Sequence, residues 1–162
     1  MEYRRLRRDE LQELEGPFVR FLAAQGIDAE LWAKLKVTDE ARTHLLLDQF
    51  SAMVFDDVLR RAEYLEERTE RQLLVYRCGP DRLVLRGLLL QAGSEDLDFR
   101  QNLPPTQLAA ALQRSGTRVQ VAQAERAYKG SREADLFAML ERGVKIAKTS
   151  ELYDLVDALN PS

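Results

Sequence analysis

A single histidine lies among carboxylates at helical spacing, which is the pattern in this chain closest to a metal site. Glu40, His44 and Asp48 recur every four residues, so on a helix they share one face. At about 1.5 Å of rise per residue the two outer carboxylates lie about 12 Å apart, too far to bind one ion together. We therefore interpret this face as solvated and predict neither a metal site nor a cofactor.

The lone cysteine and a cluster of acids are two further candidates for chemistry. A reactive thiolate at Cys78 would require Arg77 and Arg82 to lie close and lower its pKa, whereas a small apolar residue at a strand end is the simpler interpretation. The acids occupy a predicted loop that lacks the glycine and regular oxygen ligands of a calcium loop. We predict that these three are solvated: Glu95, Asp96 and Asp98.

Basic residues in the stretch 114–148 are the charge feature that best suits binding. The segment from Lys129 to Arg132 leads into a predicted helix, but it lacks the glycine-lysine-serine order of a phosphate-binding loop. We therefore expect Ser131 to act as an ordinary N-cap of that helix. The stretch as a whole could form a face for nucleic acid or for an acidic partner, although interspersed acids dilute it. The predicted binding residues, joined by Lys145 and Lys148, are Arg114, Arg118, Arg126, Lys129 and Arg132.

Composition places the chain among ordinary globular proteins. The 162 residues are 45% hydrophobic and 31% charged, with a net charge of −3. The charge is uneven, because residues 1–67 carry 10 basic and 15 acidic side chains and the remainder 14 and 12. The basic N-terminus lacks an apolar signal core, and no apolar run approaches the roughly 20 residues of a membrane-spanning helix. With one cysteine and no disulfide, we expect a soluble cytoplasmic protein without membrane contact.

The N-terminal third has the periodicity of amphipathic helices. The first is predicted from Asp9 to Gln25, with a kink or a junction of two helices at Gly16-Pro17 and an end at Gly26. Asp28 is predicted to cap a short second helix. Thr38 is predicted to cap a third, which runs to about Glu67 and presents one apolar stripe of Leu47, Phe50, Val54, Val58, Ala62 and Leu65.

Strand signals begin after Arg71. Two apolar runs around Gly79-Pro80 predict a β-hairpin, and a loop is predicted over 91–102 with a short strand at 97–99. Pro104-Pro105 introduces a helix over 106–114 that Gly116 closes. The stretch 117–128 has both strand and helix features, and we interpret it as a strand. The remaining predictions are a helix from Ser131 to Gly143, a short strand over 144–147, and a last helix from Ser150 to Leu159.

The predicted fold class is therefore α+β, with the element order αααββαβαβα. Three N-terminal helices are expected to pack as a layer on a small sheet that carries the further helices. We expect one domain over residues 1–162, with a helical part over 1–68 and an α+β part over 69–162. The sequence contains no internal repeat, and no flexible linker separates the two parts.

The N-terminal residues resemble a known family when they are taken as a set. The residues that carry the resemblance are Tyr3-Arg4-Arg5-Leu6, Phe21-Leu22-Ala23, Gly26-Ile27-Asp28-Ala29, Trp32, Lys34, Phe50-Ser51 and Glu63-Tyr64-Leu65-Glu66. The pattern is similar to a family of small uncharacterised bacterial proteins that carry a domain of unknown function. It covers about the first 70 residues, with a further similarity near 132–137. The resemblance implies a bacterial cytoplasmic protein and no particular activity.

Three hypotheses for function follow from the residues. The favoured one is a non-enzymatic protein-interaction or regulatory module, whose partner is an unknown protein or a second copy of the chain, because charged surface is abundant and catalytic groups do not converge. The alternative is nucleic-acid binding through the basic stretch 114–148. An enzyme that uses a carboxylate or Cys78 stays open as the third.

Overall fold

The computed structural model describes residues 3–94, 97–114 and 117–160, and it shows an α+β protein, as predicted. Backbone contacts divide the chain into two compact units, one over 1–60 and one over 61–162. That the two fold as a single domain stays a prediction. No helix among the described residues is long and apolar enough to cross a membrane.

The first unit is helical. Its elements are α1 (Arg8–Glu13), α2 (Glu15–Ala24), α3 (Ala29–Thr38) and α4 (Glu40–Arg61). The first predicted helix is two helices, but the junction lies at Leu14 and not at Gly16-Pro17, because Pro17 sits in the first turn of α2, where its missing N–H costs no hydrogen bond. Gly26 ends the helix with φ +76°, as predicted.

Capping residues set the boundaries of α3 and α4. Asp28 accepts a hydrogen bond from the Leu31 N–H at 2.7 Å, which confirms it as the cap of α3. Thr38 is still inside α3, so its predicted role is wrong; Asp39 instead accepts from the Arg42 N–H at 3.2 Å and begins α4. The predicted stripe on α4 is also displaced, since only Phe50 of its α4 members is fully buried. The buried residues of this helix are Thr43, Leu46, Phe50, Ser51 and Leu59.

Aromatic side chains fill the core of the first unit. The Phe50 ring is fully buried, with its centroid 5.0 Å from that of Phe18 and 5.4 Å from that of Phe21. Trp32 meets Phe18 edge to face at 5.3 Å. The N-terminal segment is held to α4, because the Leu6 N–H donates to the Ser51 hydroxyl at 2.9 Å. The spacing of aromatic residues on α2 and α4 therefore places one hydrophobic centre between these helices.

The second unit is an antiparallel sheet with helices on it. Its elements are β1 (Tyr64–Arg68), β2 (Gln72–Cys78), β3 (Arg82–Leu90), α5 (Pro105–Leu112), β4 (Val119–Ala127), α6 (Arg132–Glu141), β5 (Lys145–Ala147) and α7 (Glu151–Leu159). The strand order is β4-β3-β2-β1-β5. The predicted hairpin at Gly79-Pro80 and the predicted strand within 117–128 are confirmed as β2–β3 and β4.

Two predictions for the middle of the chain are wrong. The third helix does not run to Glu67: α4 ends at Arg61, and Tyr64–Arg68 forms β1 between β2 and β5. The stretch 97–99 is not a strand, because Phe99–Gln101 forms a 3-10 helix capped by Asp98, which accepts from the Arg100 N–H at 2.9 Å. The predicted helix end at Gly116 and the acids Glu95 and Asp96 lie outside the described residues.

The two faces of the sheet carry different helices. Side chains alternate between faces along a strand, so Leu73, Val75 and Leu88 point to one face and Tyr76 and Leu83 to the other. The first face packs against α5 and α7 in the main core of the unit. The buried members of that core include Leu73, Val75, Leu88, Phe99, Leu108, Leu152 and Val156. On the second face, α6 leaves a groove beside β3 and β4.

Candidate functional site

The five predicted binding residues differ in how accessible their side chains are. Arg114, Arg118 and Lys129 are exposed, whereas the side chains of Arg126 and Arg132 are engaged by other parts of the unit. Lys145, in β5, and Lys148, just after it, lie at the opposite edge of the sheet from Arg118 and Arg126, because β4 and β5 are the two edge strands. Four strand spacings of about 4.8 Å put these edges about 19 Å apart. The cations beside β4 and those beside β5 are therefore far apart in the structure, although both belong to the stretch 114–148.

Arg132 connects the start of α6 to the strand ends beneath it. Its side chain is only 15% exposed. Nη2 donates to the Ala62 carbonyl at 2.5 Å and to the Cys78 carbonyl at 3.3 Å, and Nε donates to the Gly79 carbonyl at 3.2 Å. Tyr128 donates its hydroxyl to the same Gly79 carbonyl at 2.7 Å. These contacts give Arg132 a structural role in this unit.

Asp135 holds the turn between β4 and α6. Its side chain is 5% exposed and accepts from both terminal nitrogens of Arg126, at 2.5 and 3.0 Å, and from the Lys129 N–H at 2.8 Å. The hydrogen-bonded Arg126 guanidinium holds the pKa of Asp135 below its ordinary value, although burial opposes the shift. Ser131 caps α6 by accepting from the Ala134 N–H at 3.1 Å, so the predicted ordinary capping is confirmed. The backbone N–H groups of Lys129 and Ala134 are thus already used by the protein.

The lowered pKa of Asp135 predicts how stability responds to acid. A depressed carboxyl pKa contributes stability above the ordinary pKa, and this contribution is lost as the pH falls through the folded-state value. We expect Asp135→Asn to lower the free energy of unfolding by roughly 1–3 kcal/mol at pH 7, because an amide cannot replace these charge-assisted hydrogen bonds. The difference from the unaltered protein should shrink below about pH 4. Urea unfolding followed by circular dichroism at several pH values measures the loss of stability and its dependence on pH.

Glu125→Gln is the matched control for this experiment. The ion pair of Glu125 with Arg82, at 3.1 Å, joins side chains that are 58% and 52% exposed. Exposed pairs contribute about 0–1 kcal/mol, so this variant should unfold almost as the unaltered protein does at every pH. An Asp135→Asn loss that stayed constant from pH 7 to pH 2 would contradict the ionic role of Asp135.

The groove between α6 and the second face of the sheet has mainly apolar walls. It has a volume of about 450 Å³. Its cations are Arg126, Lys129 and Arg142. Sequence reasoning predicted the first two but missed Arg142, which the end of α6 brings to the same opening. The apolar side chains that line this α6 groove are Tyr76, Leu83, Leu85, Ala124, Ala138 and Met139.

Strand β4 has one free edge over its nine residues, of which none is buried. Gln91 lies opposite Arg118 and donates its N–H to that carbonyl at 2.9 Å, which marks this position as a hydrogen-bonded pair. Such pairs alternate along an antiparallel ladder, so residues 120, 122, 124 and 126 bond to β3. The backbone groups of the others point away from the sheet, and among the described residues no strand pairs with them. These free-edge residues are Val119, Val121, Gln123, Glu125 and Ala127.

The other candidates for chemistry are occupied or buried. Arg5 lies over the His44 face, 2.7 Å from Asp48 Oδ1 and 2.8 Å from His44 Nδ1. The described residues contain no group of three His, Cys, Asp or Glu side chains placed to hold a metal ion. Asp98 pairs with Arg100 at 2.6 Å.

Cys78 is not an activated thiolate. It is 8% exposed, and burial raises the pKa of its thiol to about 11, with Arg132 as the opposing group. The interpretation of Cys78 as a small apolar residue at a strand end is therefore confirmed, and the alternative of a thiolate activated by Arg77 and Arg82 is not. Arg77 lies instead over the Tyr153 ring, 5.8 Å from its centroid, on the first face of the sheet. The thiol is protonated at neutral pH.

These features define an α+β protein of two compact units, one of which carries an antiparallel sheet with a free edge strand beside an apolar groove. The chain belongs to a family of unknown function, DUF6495, whose family model matches residues 1–160. The resemblance drawn from the N-terminal residues is confirmed and extends over nearly the whole chain. No curated protein and no solved structure matches it. A bacterial origin stays a prediction.

Proposed function

We propose that this protein is a non-enzymatic interaction module that pairs with a second copy of itself through β4. The observation that carries the proposal is the free edge of a nine-residue strand. Long edge strands normally carry proline, a bulge or several charged side chains that prevent pairing with another chain, and the charges within β4 are Glu125 and Arg126 at one end. β4 contains no proline, and it has no bulge, since its register with β3 is continuous from Val119 to Ala127.

The strand is complementary to itself in the antiparallel direction. Pairing over its full length centres on Gln123, so that each free-edge residue meets another free-edge residue and their outward N–H and C=O groups can bond. In this register Arg126 lies opposite Gln120 and Glu125 opposite Val121, so no like charges meet. A shift of the centre to Ala122 would place Arg126 opposite Arg118, which is unfavourable. The charge pattern therefore disfavours that shift, and overlap of all nine residues favours the register centred on Gln123, with C2 symmetry.

A charge exchange at the two-fold axis tests this proposal. The proposed register puts the two copies of residue 123 directly opposite, so Gln123→Lys alone and Gln123→Glu alone should each weaken the dimer. Mixing the two variants should restore it. Like and opposite charges across a strand pair each change its energy by about 0.2–1 kcal/mol, so the mixed dimer should have a roughly tenfold lower Kd than either homodimer. Sedimentation velocity over a concentration series measures the dissociation constants of the two homodimers and of the mixed dimer.

The matched control places the same charges at Gln120. In the proposed register Gln120 meets Arg126 of the other copy and not another Gln120, so mixing Gln120→Lys with Gln120→Glu should give no such gain. A single strand pair buries little surface, so the dimer is expected to be weak and concentration dependent. An unaltered protein that stays monomeric at all concentrations, or equal gains at positions 120 and 123, would exclude the proposal.

Nucleic-acid binding through 114–148 stays the alternative prediction. The exposure of Arg114, Arg118 and Lys129 supports it, whereas the engagement of Arg126 and Arg132 reduces the available charge. Binding of this kind would weaken steeply with salt and would respond to neutralisation of the exposed cations. It would not respond to the pairing of opposite charges at position 123, so the experiment above separates the two functions.

A further inference from the structure

We propose that the α6 groove binds a small apolar molecule that carries one anionic head group. This site borders the free edge of β4 and shares Glu125 with it, but it lies on the second face of the sheet and its occupation does not require self-association. The volume of about 450 Å³ lies within the roughly 300–1,000 Å³ of small-molecule sites. The walls are suited to an apolar body, because Leu83 and Met139 are buried beneath the groove while Leu85, Ala124 and Ala138 remain accessible.

Charge at the opening selects the head group. Lys129 and Arg142 are exposed at the groove, and neither side chain makes an ion pair with any residue that the structure describes. The two carboxylates of the lining are already paired, Asp135 with Arg126 at 2.5 Å and Glu125 with Arg82 at 3.1 Å. The balance of unpaired charge at the opening is therefore positive, which is complementary to an anion.

The hydroxyl of Tyr76, a buried residue of the groove wall, does not oppose this assignment. Tyr76 donates its hydroxyl to Glu67 at 3.1 Å, and burial raises the pKa of Tyr76 to about 12, so its ring stays neutral. An apolar ligand that covers the ring leaves that hydrogen bond in place. A carboxylate or sulfonate at the opening can approach Lys129 and Arg142, while the apolar part of the ligand displaces water from the accessible wall of Leu85, Ala124 and Ala138.

The probe for this site is 8-anilinonaphthalene-1-sulfonate, an apolar arene with one anionic group, titrated into the full chain and followed by fluorescence. Ala138→Trp fills the groove from an exposed position of α6 and should weaken binding at least tenfold. Lys129→Gln combined with Arg142→Gln removes the unpaired cations and should weaken it about tenfold. Octanoate should displace the bound probe at lower concentration than 1-octanol, which has the same chain without the charge.

The control variant combines Arg114→Gln with Lys148→Gln, which removes the same net charge from exposed positions outside the groove lining. Its affinity for the probe should stay within twofold of the unaltered protein. Unchanged affinity in Ala138→Trp would overturn the proposal. Equal weakening in the control and in the Lys129/Arg142 variant, or equal displacement by octanoate and 1-octanol, would also overturn it, because the cations at the groove would then have no specific role.

Discussion

The Arg132→Met variant should lose roughly 2–3 kcal/mol of unfolding free energy, because buried carbonyls that lose their partners each cost about 1–3 kcal/mol. Methionine keeps most of the apolar length of the side chain but none of the donors that reach Ala62, Cys78 and Gly79. The expected fall in Tm is about 4–12 °C for a chain of this size. Urea and thermal unfolding followed by circular dichroism measure the loss.

Arg114→Met is the control for this substitution. Arg114 is exposed just after α5, so the change should stay within about 0.5 kcal/mol of the unaltered protein. Both arginines belong to the basic stretch predicted from the sequence, and their different burial is the basis of the comparison. Equal stability of the two variants would show that the hydrogen bonds of Arg132 do not hold α6 to the strands, and would return Arg132 to the set of available cations.

Local chemistry made several elements predictable from the sequence. Gly26 ends α2 and Ser131 caps α6, because a positive φ and an unpaired helix N–H each require a particular residue type close by in the chain. The end of α4 was not predictable in the same way. Tyr64–Arg68 contains good helix formers, and Leu65 continues the helical period, but pairing with β2 and β5 makes it a strand. Tertiary pairing overrides a weak local preference.

The candidate sites depend on the strand order, which cannot be predicted from local patterns in the sequence. Cations that are neighbours along 114–148 become separated because β4 and β5 occupy opposite edges of the sheet. Arg142 joins Lys129 at the α6 groove only because α6 lies over the second face. Gln123 carried no signal at all in the sequence, since its importance comes from its place at the middle of an edge strand. The sequence showed which residues are charged, whereas the topology of the sheet and helices determines which of them lie close together.

Cysteine scanning along β4 has the largest expected effect on the proposed dimer. In the proposed register the two copies of residue 123 form a hydrogen-bonded pair, with Cα atoms about 5.5 Å apart. This distance lies inside the roughly 4.4–6.8 Å that a disulfide spans. The two copies of residue 120 would be six residues apart along the pair, about 20 Å at about 3.4 Å per residue. Gln123→Cys should therefore cross-link, and Gln120→Cys should not.

The native thiol does not interfere with this measurement. Cys78 is buried and its pKa is raised to about 11, so the unaltered protein should form no disulfide dimer and serves as the control. Each variant is oxidised with oxidised glutathione, which takes up the electrons of the two thiols, and the products are separated on a non-reducing gel. Nearly complete dimer for Gln123→Cys, with monomer for Gln120→Cys and the unaltered protein, is the predicted result. Equal cross-linking at 120 and 123, or none at 123, would contradict pairing through β4.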